Sequence, residues 1–203
     1  MSSAVWTDNV SILATQTLAR NANVSATIDL RTKRGAMLFP RIGRQGTTAL
    51  TNGVDFLVRR TLNNNASTQN HPAPIAQVTS QSAAASSTTC SGSDSNSGQK
   101  TLNVASTTGF AVGDYILIGG GTAREEWARV SRVTSSTALL LDRNLGYTHT
   151  TGQADTVRSK ADVFSPVWVD GGATVEVIFD YGDDSAGESV TVECLAQTYD
   201  SDS

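Results

Sequence analysis

The sequence predicts an all-β protein, for three reasons. Apolar and polar residues alternate with a period of two in several segments, which is typical of strands with one buried face. Val and Thr are abundant and Glu and Lys are scarce, and 17 glycines supply turns. The 203 residues are enough for a real core. We therefore predict a jelly-roll-like β-sandwich built from both chain ends, with an inserted small β-barrel.

The first 60 residues predict several strands. Apolar residues lie at even spacing, interrupted only at Gln16, in two early segments: Val10, Ile12, Ala14 and Leu18, then Val24, Ala26, Ile28 and Leu30. A helix over residues 4–20 is the alternative, but its threonines and the period of two favour a strand. Pro40 has no amide to donate, so its strand is predicted at a sheet edge or a bulge. Val54, Phe56 and Val58 alternate in a further strand.

The rest of the chain divides into three segments. Residues 61–99 contain one charge, Asp94, and much Ser, Thr, Asn and Ala, which predicts an extended polar linker. Residues 100–160 contain four or five short apolar segments, which predict a small barrel. Near the C-terminus, two alternating runs flank the turn-like GDDSAGE and predict a hairpin: Val175, Val177, Phe179 and Tyr181, then Val190, Val192, Cys194 and Ala196.

Size and charge predict how these segments combine. Residues 1–60 and 161–203 are each too short for an independent core, but together they reach the usual domain size of about 100 residues. Residues 1–60 carry a charge of +5, and residues 161–203 carry ten acids and no base. We therefore expect the two ends to form one discontinuous sandwich, or to meet a complementary neighbour in an assembly.

The sequence contains no pattern that predicts a membrane span or export. The longest strictly apolar runs have four residues, whereas a helical span needs about 20. The N-terminus lacks a basic leader followed by an apolar stretch, so we expect no export by that route and no membrane partner.

The sequence predicts neither catalytic nor cofactor-binding nor metal-binding residues. His71 and His149 accompany no recognisable nucleophile motif, so we interpret them as polar loop residues. Cys90 is expected to be exposed and Cys194 buried, without a disulfide between them. Calcium at an acidic turn is the one metal alternative, although the spacing is not that of an EF-hand and a solvated turn is expected. The acids of that turn are Asp180, Asp183, Asp184 and Glu188.

One basic cluster is the other candidate for contact with a partner. It consists of Arg31, Lys33, Arg34, Arg41 and Arg44. No aromatic residues interleave it as a stacking platform, so we expect no direct role with nucleic acid. We expect this cluster to pair with the acidic last forty residues, within the chain or between subunits; the cluster and the acidic turn are the candidate interface.

The inserted segment resembles a small β module of tailed-bacteriophage virion structural proteins. The resemblance rests on the turn TGFAVGD, the polar strand ending in VSRV, the strand LLLD and the closing HTTG. It implies a non-enzymatic capsid decoration (cement) protein that bridges neighbouring subunits, or else a neck or tail component. The expected partners are the major capsid protein or other virion proteins and further copies of the chain. The implied location is the virion, assembled in the host cytoplasm.

A carbohydrate-binding β-sandwich module is a second alternative. Sugar stacking needs at least one exposed aromatic ring, and the tryptophans are Trp6, Trp127 and Trp168. Because they lie in strand patterns, we expect them to pack in the core.

Overall fold

The computed structural model describes Trp6 and residues 10–60, 74–182 and 188–200, and in this part of the chain the all-β prediction is confirmed. The described residues contain no helix that could cross a membrane. Their strands are β1 (Val10–Leu18), β2 (Ala22–Asp29), β3 (Lys33–Arg44), β4 (Asp55–Arg60), β5 (Ala76–Thr79), β6 (Ser87–Thr89), β7 (Thr101–Asn103), β8 (Tyr115–Ile118), β9 (Glu126–Ser135), β10 (Ala138–Leu141), β11 (Thr156–Val163), β12 (Val167–Asp170), β13 (Thr174–Tyr181) and β14 (Val190–Asp200).

The strands form two antiparallel sheets, an arrangement consistent with a β-sandwich. The larger sheet has the order β1-β14-β3-β11-β8-β9-β10-β7, with β12 also paired to β3 and β6 to β11. The smaller sheet has the order β2-β13-β4-β5. Strands β1 to β4 alternate between the sheets, and so do β12, β13 and β14, because their connections cross from one sheet to the other.

Both ends of the chain contribute to one apolar core. Its buried side chains come from residues 13–58 and 169–196, and the Phe56 and Phe179 rings lie 5.0 Å apart between centroids. The alternation in β13 places Val175, Val177 and Phe179 inward, fully buried. Burial of such side chains stabilises a fold by roughly 1.5–3 kcal/mol each.

The predicted C-terminal hairpin is wrong. β13 pairs with β2 and β4 in the smaller sheet, whereas β14 pairs with β1 and β3 in the larger one. The alternation in each strand is as expected, but it defines only which face is buried. It carries no information on which neighbour supplies the backbone hydrogen bonds.

Pro40 also departs from expectation, because β3 is a central strand. β14 pairs along one side of β3, and on the other side the partner changes from β12, opposite residues 35–38, to β11, opposite residues 41–42. The Pro40 carbonyl accepts a hydrogen bond from Phe164 N (3.3 Å), in the connection between these two partners. The proline therefore lies where the ladder is already interrupted, and its missing amide costs little.

The linker interpretation does not hold for residues 74–99. β5 extends the smaller sheet beside β4, and β6 pairs with β11. Backbone bonds such as Ser80 N to Val54 O (2.8 Å) hold this polar segment, so its order does not depend on a large apolar core of its own. The linker residues 61–73, including His71, lie outside the described residues.

The inserted segment has a separate apolar cluster. It includes Leu102, Ile116, Val130, Leu139 and Val157, all 1% exposed or less. Two backbone bonds connect the end of β6 to β7: Ser91 N to Asn103 O (3.2 Å) and Ala105 N to Thr89 O (2.9 Å). A closed barrel requires such a connection between its first and last strands; the inserted barrel stays a prediction.

Candidate functional site

Four ion pairs among the described residues join the basic and acidic ends of the chain. Lys33 contacts Asp200, Arg41 lies 2.9 Å from Glu193, Arg44 lies 2.9 Å from Glu188, and Arg60 lies 3.9 Å from Asp170. The first two pairs are direct neighbours across the β3–β14 ladder. The opposite charges of the two ends therefore meet within one chain.

This pairing removes Arg44 from the predicted contact surface. Its side chain is 1% exposed and donates hydrogen bonds to the carbonyls of Ala83 (3.1 Å) and Thr48 as well as to Glu188. Arg31 and Arg34 are exposed, and Arg31 binds the nearby Asp29. The five basic residues thus do not form one continuous surface.

The acidic turn is described only in part. Asp180 is exposed at the end of β13, opposite Asp55 of β4. Glu188 accepts hydrogen bonds from Arg44 and from Thr48 N, while Asp183 and Asp184 lie outside the described residues. In the described ranges no three His, Cys, Asp or Glu side chains are arranged to hold a metal ion.

Three aromatic rings form an exposed cluster that we call the aromatic patch: Trp6, Trp168 and Tyr199. Trp6 and Trp168 are 45% and 44% exposed, contrary to the expected core packing, whereas Trp127 is buried. The Trp6 ring centroid lies 5.0 Å from that of Tyr199 and 6.0 Å from that of Trp168. Val169 is the buried residue of β12, so the alternation turns the Trp168 side chain outward.

The Trp168 ring is held close to the backbone of β3. A Cβ atom at Gly35 would overlap the Trp168 ring, so glycine at this position allows the close approach. The indole Nε1 donates to Asp170 Oδ1 at 2.8 Å. These contacts fix the orientation of the ring while leaving much of its surface open.

A groove of about 580 Å³ lies where the larger sheet passes from β3 to the inserted segment. Arg41 stacks over Trp127 at 5.1 Å, and Arg129 stacks over Tyr115 at 5.9 Å. The guanidinium groups along this groove already have partners: Arg41 pairs with Glu193, Arg143 lies 3.2 Å from Glu126, and Arg129 donates to Gly113 O. The groove is therefore a poor anion site.

His149 is buried, contrary to its interpretation as a polar loop residue. Its Nδ1 lies 2.9 Å from Asp155 Oδ2 and its Nε2 lies 2.9 Å from Glu126 Oε1. The side chains of His149, Asp155 and Glu126 are 0%, 2% and 5% exposed. Arg124 binds both oxygens of Asp155, at 2.7 and 3.0 Å. We call these residues, with Arg143, the buried charge network.

Both imidazole nitrogens face carboxylate oxygens, which favours the doubly protonated ring. Burial by itself lowers the pKa of His149, but the hydrogen bonds to Glu126 and Asp155 outweigh burial and raise it. Because neither nitrogen is open to solvent, His149 is not placed to exchange a proton with a substrate. Glu126 also accepts from the amides of Gly146 (3.0 Å) and Tyr147 (3.3 Å), so the network anchors the loop after β10.

The two cysteines are both free and buried. Cys194, expected in the core, is 0% exposed, while Cys90, expected to be exposed, is 2% exposed. Burial, together with the charges of Asp155 and Glu126, raises the pKa of Cys90 to about 12. At neutral pH it is a thiol, which is a weak nucleophile.

No family model, curated protein or solved structure matches this chain.

Proposed function

We propose that this chain is a non-enzymatic structural protein of a tailed-bacteriophage virion, and specifically a capsid decoration protein. The turn and strand motifs of the inserted segment support the class of protein. The observation that carries the contact role is the aromatic patch of Trp6, Trp168 and Tyr199. The patch offers a docking surface, which a decoration protein requires.

The composition of the patch favours a protein partner. Trp and Tyr are enriched among the residues that dominate binding energy in protein interfaces. The rings are tilted against one another by 46° to 75°, so they form a notched surface rather than a flat platform. Asp170, 75% exposed, provides a charge beside the apolar centre.

A decoration protein needs no chemistry of its own. It adds buried interface between neighbouring subunits, and many copies on one lattice multiply a modest gain per copy. Most of the basic residues predicted as contacts, and Glu188 of the acidic turn, are used in ion pairs within the chain. Docking therefore depends mainly on the aromatic patch, with a smaller contribution from exposed charges such as Arg31, Arg34 and Asp180.

Binding to capsids tests this proposal. Purified chain is mixed with emptied heads that lack it, and bound protein is measured after sedimentation at low and high salt. The wild-type chain is expected to bind saturably, and Trp168→Ala is expected to weaken binding at least tenfold. Tyr147→Ala, a surface aromatic outside the patch, is the matched control and should bind as wild type. Absence of saturable binding at low salt would rule out the decoration role.

A neck or tail component is the alternative within the same class. Such a protein would assemble with itself into rings, using the same exposed surface. Mass measurement across a concentration series and electron microscopy of the purified chain separate the two roles. Rings that disappear in Trp168→Ala would replace the decoration role by this one.

A carbohydrate-binding module is favoured by one specific observation, the exposure of Trp6 and Trp168. In that case glycan binding would be lost in Trp168→Ala, and capsid binding would be absent. The tilt between the rings is why the protein-docking role is preferred.

A further inference from the structure

A second cleft, of about 480 Å³, lies away from the aromatic patch, between β1 and the turn before β9. Thr15, Gln16 and Thr17 of β1 form one wall, and Gly121, Thr122, Ala123 and Glu125 form the other, with Tyr147 at the edge and Thr191 also lining it. Its volume is within the range of small-molecule sites. Glu125 is its single charged lining residue among those described, and Glu193 lies close by, where it accepts a hydrogen bond from the Thr15 hydroxyl at 3.2 Å. The surroundings are therefore polar and negatively charged.

A β-bulge shapes the first wall. Leu13 is opposite Cys194 and Gln16 is opposite Val192, so β1 has one more residue than β14 over this interval. Bulges redirect side chains and occur often beside binding sites. Here the bulge leaves Thr15, Gln16 and Thr17 exposed in succession, whereas regular alternation would turn one of them inward.

At the base of this wall lies the side chain of Gln45, which is held by hydrogen bonds. The Gln45 side-chain amide donates to the hydroxyls of Thr17 (3.1 Å) and Thr191 (2.7 Å), and Thr191 is 1% exposed. On the other wall, Glu125 Oε2 accepts from Gly121 N at 2.6 Å. Glu125 Oε1 is buried and has no hydrogen-bond partner among the described residues.

Tyr147 supplies an aromatic surface that is 45% exposed. The loop that carries Tyr147 is anchored, because the amides of Gly146 and Tyr147 both donate hydrogen bonds to Glu126 of the buried charge network. The network therefore holds the backbone of Tyr147 in place before any ligand arrives, and such preorganisation lowers the entropic cost of binding.

We propose that this cleft binds a neutral saccharide, with the Tyr147 ring stacked on a sugar face and Thr15, Gln16 and Glu125 bonded to sugar hydroxyls. An exposed aromatic ring beside hydroxyl, amide and carboxylate groups matches the mixed apolar and polyhydroxylated surface of a hexose. The negative charge of the Glu125 carboxylate disfavours the binding of anionic sugars. This activity is separate from the proposed virion role and uses different residues.

Ligand-observed NMR on the full chain tests the proposal, with short oligosaccharides of glucose, galactose, mannose, N-acetylglucosamine and galacturonic acid as probes. At least one neutral series should show saturable binding, and galacturonic acid should bind more weakly. Tyr147→Ala should weaken binding by about tenfold or more, equivalent to about 1.4 kcal/mol. Gln16→Ala should weaken it by a smaller factor.

Two controls keep the result interpretable. Tyr147→Phe retains the ring and should bind as wild type, and Trp168→Ala changes only the aromatic patch and should also bind as wild type. No binding of any neutral series, binding of galacturonic acid alone, or a loss in Trp168→Ala without a loss in Tyr147→Ala would each overturn the proposal. Capsid binding by Tyr147→Ala reports separately on the virion role.

Discussion

Nε2 of His149 lies 2.9 Å from Oε1 of Glu126, and neither side chain is open to solvent. On its other side the imidazole faces Asp155, also at 2.9 Å. A positive charge on the ring stabilises these two buried carboxylates, together with Arg124 beside Asp155 and Arg143 beside Glu126. Protonation of His149 therefore contributes to the stability of the network that holds the loop bearing Tyr147.

The first prediction concerns the pH dependence of stability. Because the pKa of His149 is raised in the folded state, its contribution is complete below the ordinary value of 6.5 and is lost as the pH rises through the raised value. The pKa values of Glu126 and Asp155 are lowered, so their contribution is lost in acid instead. The contribution of the network should therefore be greatest in mildly acidic solution.

Urea unfolding across a pH series measures this effect. His149→Ala should cost about 3–5 kcal/mol at pH 6, because it leaves two buried carboxylates without their shared donor. His71→Gln removes the other histidine of the sequence and serves as the control. A wild-type stability that stays flat from pH 6 to 9, together with a harmless His149→Ala, would contradict the assignment.

The second prediction concerns the ion pair that links β3 to the residues before β14. Arg44→Met should lower the free energy of unfolding by about 3 kcal/mol, because Glu188, 9% exposed, loses its cation. Arg34→Met, at an exposed position of the same strand, should change it by less than about 0.5 kcal/mol. A double-mutant cycle with Glu188→Gln measures the coupling, and additive effects would show that the pair contributes nothing.

The strand pattern and the charge distribution are the features that the sequence could predict. The period-two alternation in β2, β13 and β14 predicts strands and their buried faces. In β1 it predicts the strand but not the face, because a bulge leaves Val10 and Ala14 exposed and Leu13 buried. The charge difference between residues 1–60 and 161–203 predicts the pairing of Arg41 with Glu193, because both lie in these oppositely charged segments. Burial pattern and charge are properties that a local segment carries in its own residues.

The residues of a segment do not by themselves determine which strand it pairs with, or whether a loop residue is buried. The turn-like GDDSAGE between two alternating runs looks the same whether the chain reverses within one sheet or crosses to the other, so the hairpin prediction failed. His149 and Cys90 lie in Thr- and Ser-rich segments that give no sign of burial. The three-dimensional positions of Glu126 and Asp155 explain the burial of His149, and Cys90 is buried because it packs in the apolar cluster of the inserted segment. The alternation of Val167 and Val169 about Trp168 was a usable signal that the indole lies on the opposite face.

The third prediction concerns thiol reactivity. Burial raises the pKa of both Cys90 and Cys194 to about 12, so neither should react with iodoacetamide in the native protein at pH 8. Both should be labelled once urea unfolds the chain, which serves as the positive control. Mass spectrometry of the labelled peptides distinguishes the two sites, and fast native labelling of Cys90 would contradict its burial.

The fourth prediction concerns Asp162 of β11. Burial raises the pKa of this carboxyl to about 6, although its two oxygens accept hydrogen bonds from Gln81 N (3.0 Å) and Gln81 Nε2 (3.2 Å). Its charged form is disfavoured by folding, so it costs stability as the pH rises from about 4 through 6. Asp162→Asn should raise the free energy of unfolding at pH 7 by about 1–2 kcal/mol.

The same substitution should have little effect near pH 4, where the folded carboxyl is already protonated. Thermal unfolding at both pH values provides the comparison. An equal loss of stability at pH 4 and pH 7 would show that the hydrogen bonds to Gln81, rather than the charge, determine the outcome.

The central claim is that the two ends of the chain build one body that acts by contact within a virion. Electron cryo-microscopy of the purified virions that are proposed to contain the chain tests this claim most directly. The account predicts regularly spaced copies on the head, each with Trp168 and Tyr199 buried against a neighbouring subunit. Particles that are complete without the chain, or copies in which the aromatic patch faces solvent, would contradict it.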